Sequence, residues 1–121
     1  MNYLAFVKQF HEKFGLPGND EPNTLSYGLA SQRIEHMKEE LKEYAKGYDT
    51  GNMAEMLDAL VDLQYVLMGT VIMHGFEKIF NSAFMDVHLA NMQKECVHEG
   101  EKQGIRKPEG WKAPRLEKYF K

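Results

Sequence analysis

Met53-Ala54-Glu55-Met56-Leu57-Asp58-Ala59-Leu60-Val61-Asp62-Leu63-Gln64-Tyr65-Val66-Leu67-Met68-Gly69-Thr70-Val71-Ile72-Met73-His74 is the stretch that decides the fold. It is far too long for a strand, and apolar side chains fall on nearly every side of its helical circumference, so it predicts the central, buried helix of an all-α protein. Gly75 stops it. Two acids interrupt the apolar run, Asp58 and Asp62, one turn apart on one face. Unpaired carboxylates in such a helix would cost on the order of several kcal/mol, so they call for a cation: a metal or metal-bound substrate, or a buried side chain such as Arg33.

Upstream, a helix from about Ser26 to Lys46 carries Glu39, Glu40 and Glu43, which share a face at spacings of three and four. Gly47-Tyr48-Asp49-Thr50-Gly51-Asn52 reads as the reversing turn, and counting outward from it sets Glu43 level with Glu55 and Glu40 level with Asp58. The two acidic stripes then meet across a helical hairpin. Oxygen donors alone, crowded enough to repel one another, suit a hard divalent cation, Mg²⁺ or Mn²⁺. The bland alternative is a solvated face interleaved with Lys38, Lys42 and Lys46; it accounts for Glu35 and Glu39 more readily than for Asp58 and Asp62.

Two more helices flank this hairpin. Leu4, Phe6, Val7, Phe10 and Phe14 describe an amphipathic helix over residues 2–14, ended by Gly15 and Pro17. Ile79, Phe80, Phe84, Val87, Leu89 and Met92 form the packing face of a fourth, from about Glu77 to Glu95. Residues 98–121 hold Gly100, Gly104, Pro108, Gly110 and Pro114, too many breakers for a long helix, and read as an irregular tail. No repeat or strand alternation stands out. The expectation is an all-α bundle of four to five helices forming one domain, 1–121, with a helix so apolar that a second subunit covers part of it in a homodimer or homotetramer.

Composition narrows the functional classes. A chain of 121 residues with a net charge of −3 lacks the basic excess of a binder of polymeric nucleic acid or of an anionic membrane. The single cysteine, Cys96, permits no internal disulfide and has no signature of an activated nucleophile. The start of the chain has no signal-like apolar stretch and no uninterrupted apolar run reaches the roughly 18 residues of a membrane span, so a cytoplasmic location is expected.

Glu39-Glu40-Leu41-Lys42-Glu43, followed by Asp58-Ala59-Leu60-Val61-Asp62-Leu63-Gln64-Tyr65-Val66, resembles the MazG-like all-α nucleoside triphosphate pyrophosphohydrolases, and most of all their phosphoribosyl-ATP pyrophosphohydrolase-like branch. Phe10-His11-Glu12-Lys13-Phe14-Gly15-Leu16-Pro17, Asp86-Val87-His88-Leu89-Ala90-Asn91-Met92-Gln93-Lys94 and Lys107-Pro108-Glu109-Gly110-Trp111 extend the similarity along almost the whole chain. The resemblance implies Mg²⁺-dependent hydrolysis of a nucleoside triphosphate between the α and β phosphates, giving a monophosphate and pyrophosphate. Glu39, Glu40, Glu43 and Asp62 match its metal-binding acids, with Asp58 as a further candidate. Either Glu39 or Glu40 can instead orient or deprotonate the attacking water. Asn91 and Lys94 match positions that contact the nucleotide, Lys94 as a phosphate counter-charge and Asn91 as a two-way hydrogen bonder.

One position departs from the pattern. The family's second motif usually has a glutamate three residues before the aspartate, where this chain has Ala59; Asp58, one turn before Asp62, can substitute with a shorter reach. A weakened metal site would leave a non-catalytic nucleotide-binding or oligomeric interaction protein as the rival reading. The lone Glu95-x-x-His98 does not make the two such motifs a di-iron bundle needs, and His36 lies inside the acidic helix without a partner motif. Trp111 and Tyr119 suit docking of the tail onto the helices, or stacking on a base.

Overall fold

The computed structural model describes residues 1–99 and 102–121. Gly100, one of the predicted breakers, lies outside the described residues, as does the side chain of His98. The chain is all-α in its main body: α1 (Tyr3–Phe14), α2 (Tyr27–Asp49), α3 (Met53–Met73) and α4 (Glu77–Asn91), followed by β1 (Glu95–Glu99), β2 (Lys102–Arg106) and a short 3₁₀ helix, Leu116–Phe120. It falls into two compact units, Met1–Glu77 and Lys78–Lys121.

In the first unit, the three helices start where a side chain can cap them. Asn2, Ser26 and Asn52 accept the free N–H groups of Ala5, Leu29 and Glu55. α3 packs against both α1 and α2 and is the central helix. Its buried face is Ala59, Val66, Met68, Val71, Ile72 and Met73, which joins Leu4 and Val7 of α1. Gly69 lets two polar side chains approach: a Cβ there would stand 2.8 Å from the Arg33 guanidinium and 2.9 Å from His11 Nε2. Arg33 donates to the Val66 carbonyl at 2.8 Å and to Thr70 Oγ1 at 3.1 Å, and the buried His11 ring bonds the Pro17 carbonyl at 2.9 Å through Nδ1.

The loop before α2 is tied to the end of α3. Asn23 donates to the carbonyls of His74 and Met73, while its own carbonyl meets His74 Nδ1 at 2.7 Å. At the same corner Gly75 has φ +73°, and a Cβ on it would lie 2.1 Å from the Glu21 carbonyl oxygen. No other residue type fits there without moving the loop.

Burial of α3 on every side does not hold. Leu57 is 65% exposed and Val61 55%, with Leu60, Tyr65 and Leu67 also open. Tyr3, Phe6 and Val7 of α1 join Leu60, Val61, Gln64, Tyr65 and Met68 around an apolar trough of about 340 Å³. Three helices have too few faces to cover a helix that is apolar all round. α3 is also long and apolar enough to cross a membrane by length and composition, with a mean hydropathy of 1.5. Counting uninterrupted runs missed this, because the apolar residues around Asp58 and Asp62 outweigh the two charges.

The second unit corrects the expected end of α4 and the strandless tail. α4 stops at Asn91, and residues 95–99 pair antiparallel with 102–106, Cys96 opposite Ile105 and Val97 opposite Gly104. The tail docks on α4 through its aromatic residues. Trp111 Nε1 donates to the Ala90 carbonyl at 2.7 Å, filling an acceptor that the end of a helix leaves open. Tyr119 donates its hydroxyl to Asp86, which also pairs with Lys118 at 3.1 Å. Those two contacts, the Tyr119 hydrogen bond first, hold the Asp86 carboxyl below its ordinary range.

Candidate metal and nucleotide site

The acidic stripes of α2 and α3 do face each other, one turn out of the expected level. α2 continues helically through Asp49, leaving only Thr50-Gly51-Asn52 as the connection. The reversal is therefore centred on Gly51, and Gly47 sits against Glu55 and Met56. Glu40 consequently faces Asp62 and not Asp58.

Glu40, Glu43 and Asp62 each place a carboxylate oxygen within 4.8 Å of the others. Glu40 is buried, 8% exposed, and its Oε2 has no hydrogen-bond partner. Its Oε1 stands 3.8 Å from Nε2 of His36, one turn earlier on α2. Burial first, then the neighbouring charge of Glu43, raises the Glu40 carboxyl, with Asp62 and Glu39 adding to the effect. Asp62 is raised by its burial, then by Asp58 and Glu43, while His36 pulls the other way. A buried carboxylate with one unpartnered oxygen, clustered with two more carboxylates, fits a hard cation: oxygen ligands are what Mg²⁺ or Mn²⁺ takes, and the ion's charge would cancel the repulsion.

The remaining predicted residues are placed differently. Asp58 is exposed and lines an adjoining groove of about 220 Å³ with Glu43, Glu55 and Lys46, so Glu43 is common to the triad and the groove. Glu39 is exposed beside Glu40 and outside the triad. Ala59 is 2% exposed within the core, where a glutamate would have no water. Arg33, the alternative partner for the α3 acids, is spent on the Val66 carbonyl and Thr70 instead. In the second unit Asn91 and Lys94 line one open cavity of about 400 Å³ together with Ile105, Arg106 and Lys107.

Sequence reasoning set Glu55 level with Glu43, and the two do line one groove, but it undervalued His36. His36 precedes Glu40 by four, and Glu55 precedes Asp58 by three; both spacings put them on the acidic faces.

Residues 7–91 match the family described as PRA-PH, phosphoribosyl-ATP pyrophosphohydrolase. The chain belongs to the phosphoribosyl-ATP pyrophosphohydrolase family. As a member of that family, within the MazG-like all-α superfamily, it falls in the general class of nucleotide pyrophosphohydrolases, enzymes that are typically metal-dependent. The match takes in α2, α3 and the whole acidic triad, and ends at Asn91, before Lys94 and the hairpin. No curated protein matches the chain at a significant level.

Proposed function

We propose that this member of the phosphoribosyl-ATP pyrophosphohydrolase family cleaves the α–β phosphate bond of a nucleoside triphosphate, or of a phosphoribosyl-ATP-like nucleotide, with Mg²⁺ or Mn²⁺, releasing a nucleoside monophosphate and pyrophosphate. The observation that carries the reading is the buried Glu40, one of whose oxygens has no hydrogen-bond partner, clustered with Glu43 and Asp62. Glu40, Glu43 and Asp62 would hold the cation, which would supply charge neutralisation at the phosphates and a more acidic bound water. Asp58, in the groove that shares Glu43, extends the acidic surface towards a second cation or a metal–phosphate complex. Glu39 and Glu40 remain the two candidates for the base. Glu39 is the better placed to orient water, because it is exposed and is not one of the triad's crowded acids.

Asn91 and Lys94 would contact the nucleotide, the lysine through phosphate and the asparagine through sugar or base. The apolar trough of α1 and α3 suits a second copy of the chain, which would shield Phe6, Leu57 and Val61 in a homodimer or homotetramer. Reading α3 as a core helix covered by that copy, and not as a membrane span, goes with a cytoplasmic enzyme without a polymeric nucleic acid partner.

A panel of ribo- and deoxynucleoside triphosphates plus phosphoribosyl-ATP, each with Mg²⁺, Mn²⁺ and chelator, tests the proposal. Pyrophosphate release that depends on metal supports it and exposes the base and sugar preference. Metal-dependent thermal stabilisation without product from any substrate would favour the non-catalytic binding protein instead.

A further inference from the structure

Helix α2 carries a row of large apolar side chains that the single chain leaves open. Tyr27, Ile34, Leu41 and Tyr48 follow one another at intervals of seven and are 89, 50, 54 and 68% exposed. Seven residues fall only about 20° short of two helical turns, so the four stay within about 60° of one line along roughly 31 Å of helix. Ala30, Met37 and Tyr44 are half-buried and bound the row on the side of the buried Glu40 and Gly47. A period of seven is what keeps one helix facing a second that crosses it at a shallow angle. Single exposed apolar residues are ordinary, whereas an unbroken row of four large ones is a contact surface. None of the four is among the residues around the trough of α1 and α3.

The order of the row identifies what covers it. It reads aromatic, aliphatic, aliphatic, aromatic in both directions. A second α2 laid antiparallel, with the twofold axis between Met37 and Lys38, therefore sets Tyr27 against Tyr48 of the partner subunit and Ile34 against Leu41 of the partner subunit. An isologous contact requires this self-complementarity, because each residue meets the partner by which it is met. The flanking charges obey the same reversal. Glu35 and Lys38, 3.4 Å apart in one chain, lie on the outer side of the row close to that axis. Turned end for end, the acid of each copy approaches the base of the other, whereas a parallel copy would bring like charges together. The terminal tyrosines can cover the ends of the contact with their rings and keep their hydroxyls in water. We propose that α2 pairs antiparallel with α2 of a second copy through Tyr27, Ile34, Leu41 and Tyr48, in an interface separate from the apolar trough. The pairing does not rest on the pyrophosphohydrolase reading.

Because these side chains are already exposed, replacing them should leave the single chain folded. Sedimentation equilibrium of the full chain should show an assembly. The double variant Ile34→Glu, Leu41→Glu should weaken self-association about 100-fold or more, halving the mass while the circular dichroism is unchanged. Orientation is read by cross-linking with a short bis-maleimide, in a Cys96→Ser background that removes the exposed native thiol. Tyr27→Cys chains mixed with Tyr48→Cys chains should be joined, and neither should be joined to itself, since each lies about 31 Å from its own copy in the antiparallel pair. Val61→Glu, on the trough, should leave that link in place. A monomeric wild type, or an unchanged mass in the double variant, would overturn the interface. Self-linking of Tyr27→Cys without linking of the mixture would overturn the antiparallel pairing, and loss of the link in Val61→Glu would assign the contact to the trough and overturn its independence.

Discussion

Replacing Glu40 by glutamine should reverse the sign of its contribution depending on metal. Three carboxylates with oxygens inside 4.8 Å repel one another by about 3 kcal/mol per fully charged pair at an effective dielectric of ~20. Glu43 is exposed and Asp62 only half-buried, so solvent screens part of this, and we take about 1–2 kcal/mol as the strain relieved by the substitution. Glutamine keeps the shape and adds an N–H₂ that can donate to Glu43 or Asp62. In chelator, Glu40→Gln should therefore melt roughly 3–10 °C above the wild type. With Mg²⁺ at a hundred times its dissociation constant, the wild type should gain about 2.7 kcal/mol and the variant almost nothing, so that their order inverts. Differential scanning calorimetry at both metal conditions reads this directly. A variant that is less stable in chelator and keeps the full Mg²⁺ response would show that Glu40 is structural and that the triad holds no metal.

Asp62→Asn should lower pyrophosphate release about 100-fold or more while the circular dichroism of the helices is retained; wild-type rates would remove Asp62 from the site. In chelator, Glu40 and Asp62 hold protons more tightly folded than unfolded. The stability they contribute is fully present below the ordinary carboxylate range and is lost as pH rises through their raised values, while Mg²⁺ affinity should climb across the same interval. Urea midpoints and calorimetric metal titrations over that range check both slopes. Arg33→Leu should cost about 2–3 kcal/mol through the lost bonds to the Val66 carbonyl and Thr70, without altering the Mg²⁺ response. Gly75→Ala, forced to φ +73° with a Cβ 2.1 Å from the Glu21 carbonyl, should cost more than about 3 kcal/mol; a melting point lowered by less than about 6 °C, the smallest shift such an energy allows, would contradict the loop geometry.

The helices of the first unit were readable in the chain for different reasons, α1 from its 3.6-residue apolar pattern, α2 from its acidic stripe and α3 from the length of its apolar run, and each has a capping residue at its start: Asn2, Ser26 and Asn52. The level of the two acidic stripes was harder to read. Gly47, Tyr48 and Asp49 look like turn residues, and the packing of Gly47 against α3 keeps them helical instead, which moves the partner of Glu40 from Asp58 to Asp62. The hairpin was hidden for a different reason. Glu95-Cys96-Val97-His98-Glu99 alternates only weakly, and its pairing with residues 102–106 is a contact beyond any local window. The end of α4 likewise depends on Trp111, twenty-one residues downstream, taking the Ala90 carbonyl. Finally, apolarity alone said that α3 is covered, and could not say by what: its Leu57 and Val61 remain open in the single chain.

Product analysis of one turnover reaction tests the central claim most directly. Incubated with Mg²⁺ and the preferred nucleotide, the protein should yield monophosphate and pyrophosphate in equal amounts, with both lost in chelator and in Asp62→Asn. Release of nucleoside diphosphate and orthophosphate, or equal product from Asp62→Asn, would contradict it.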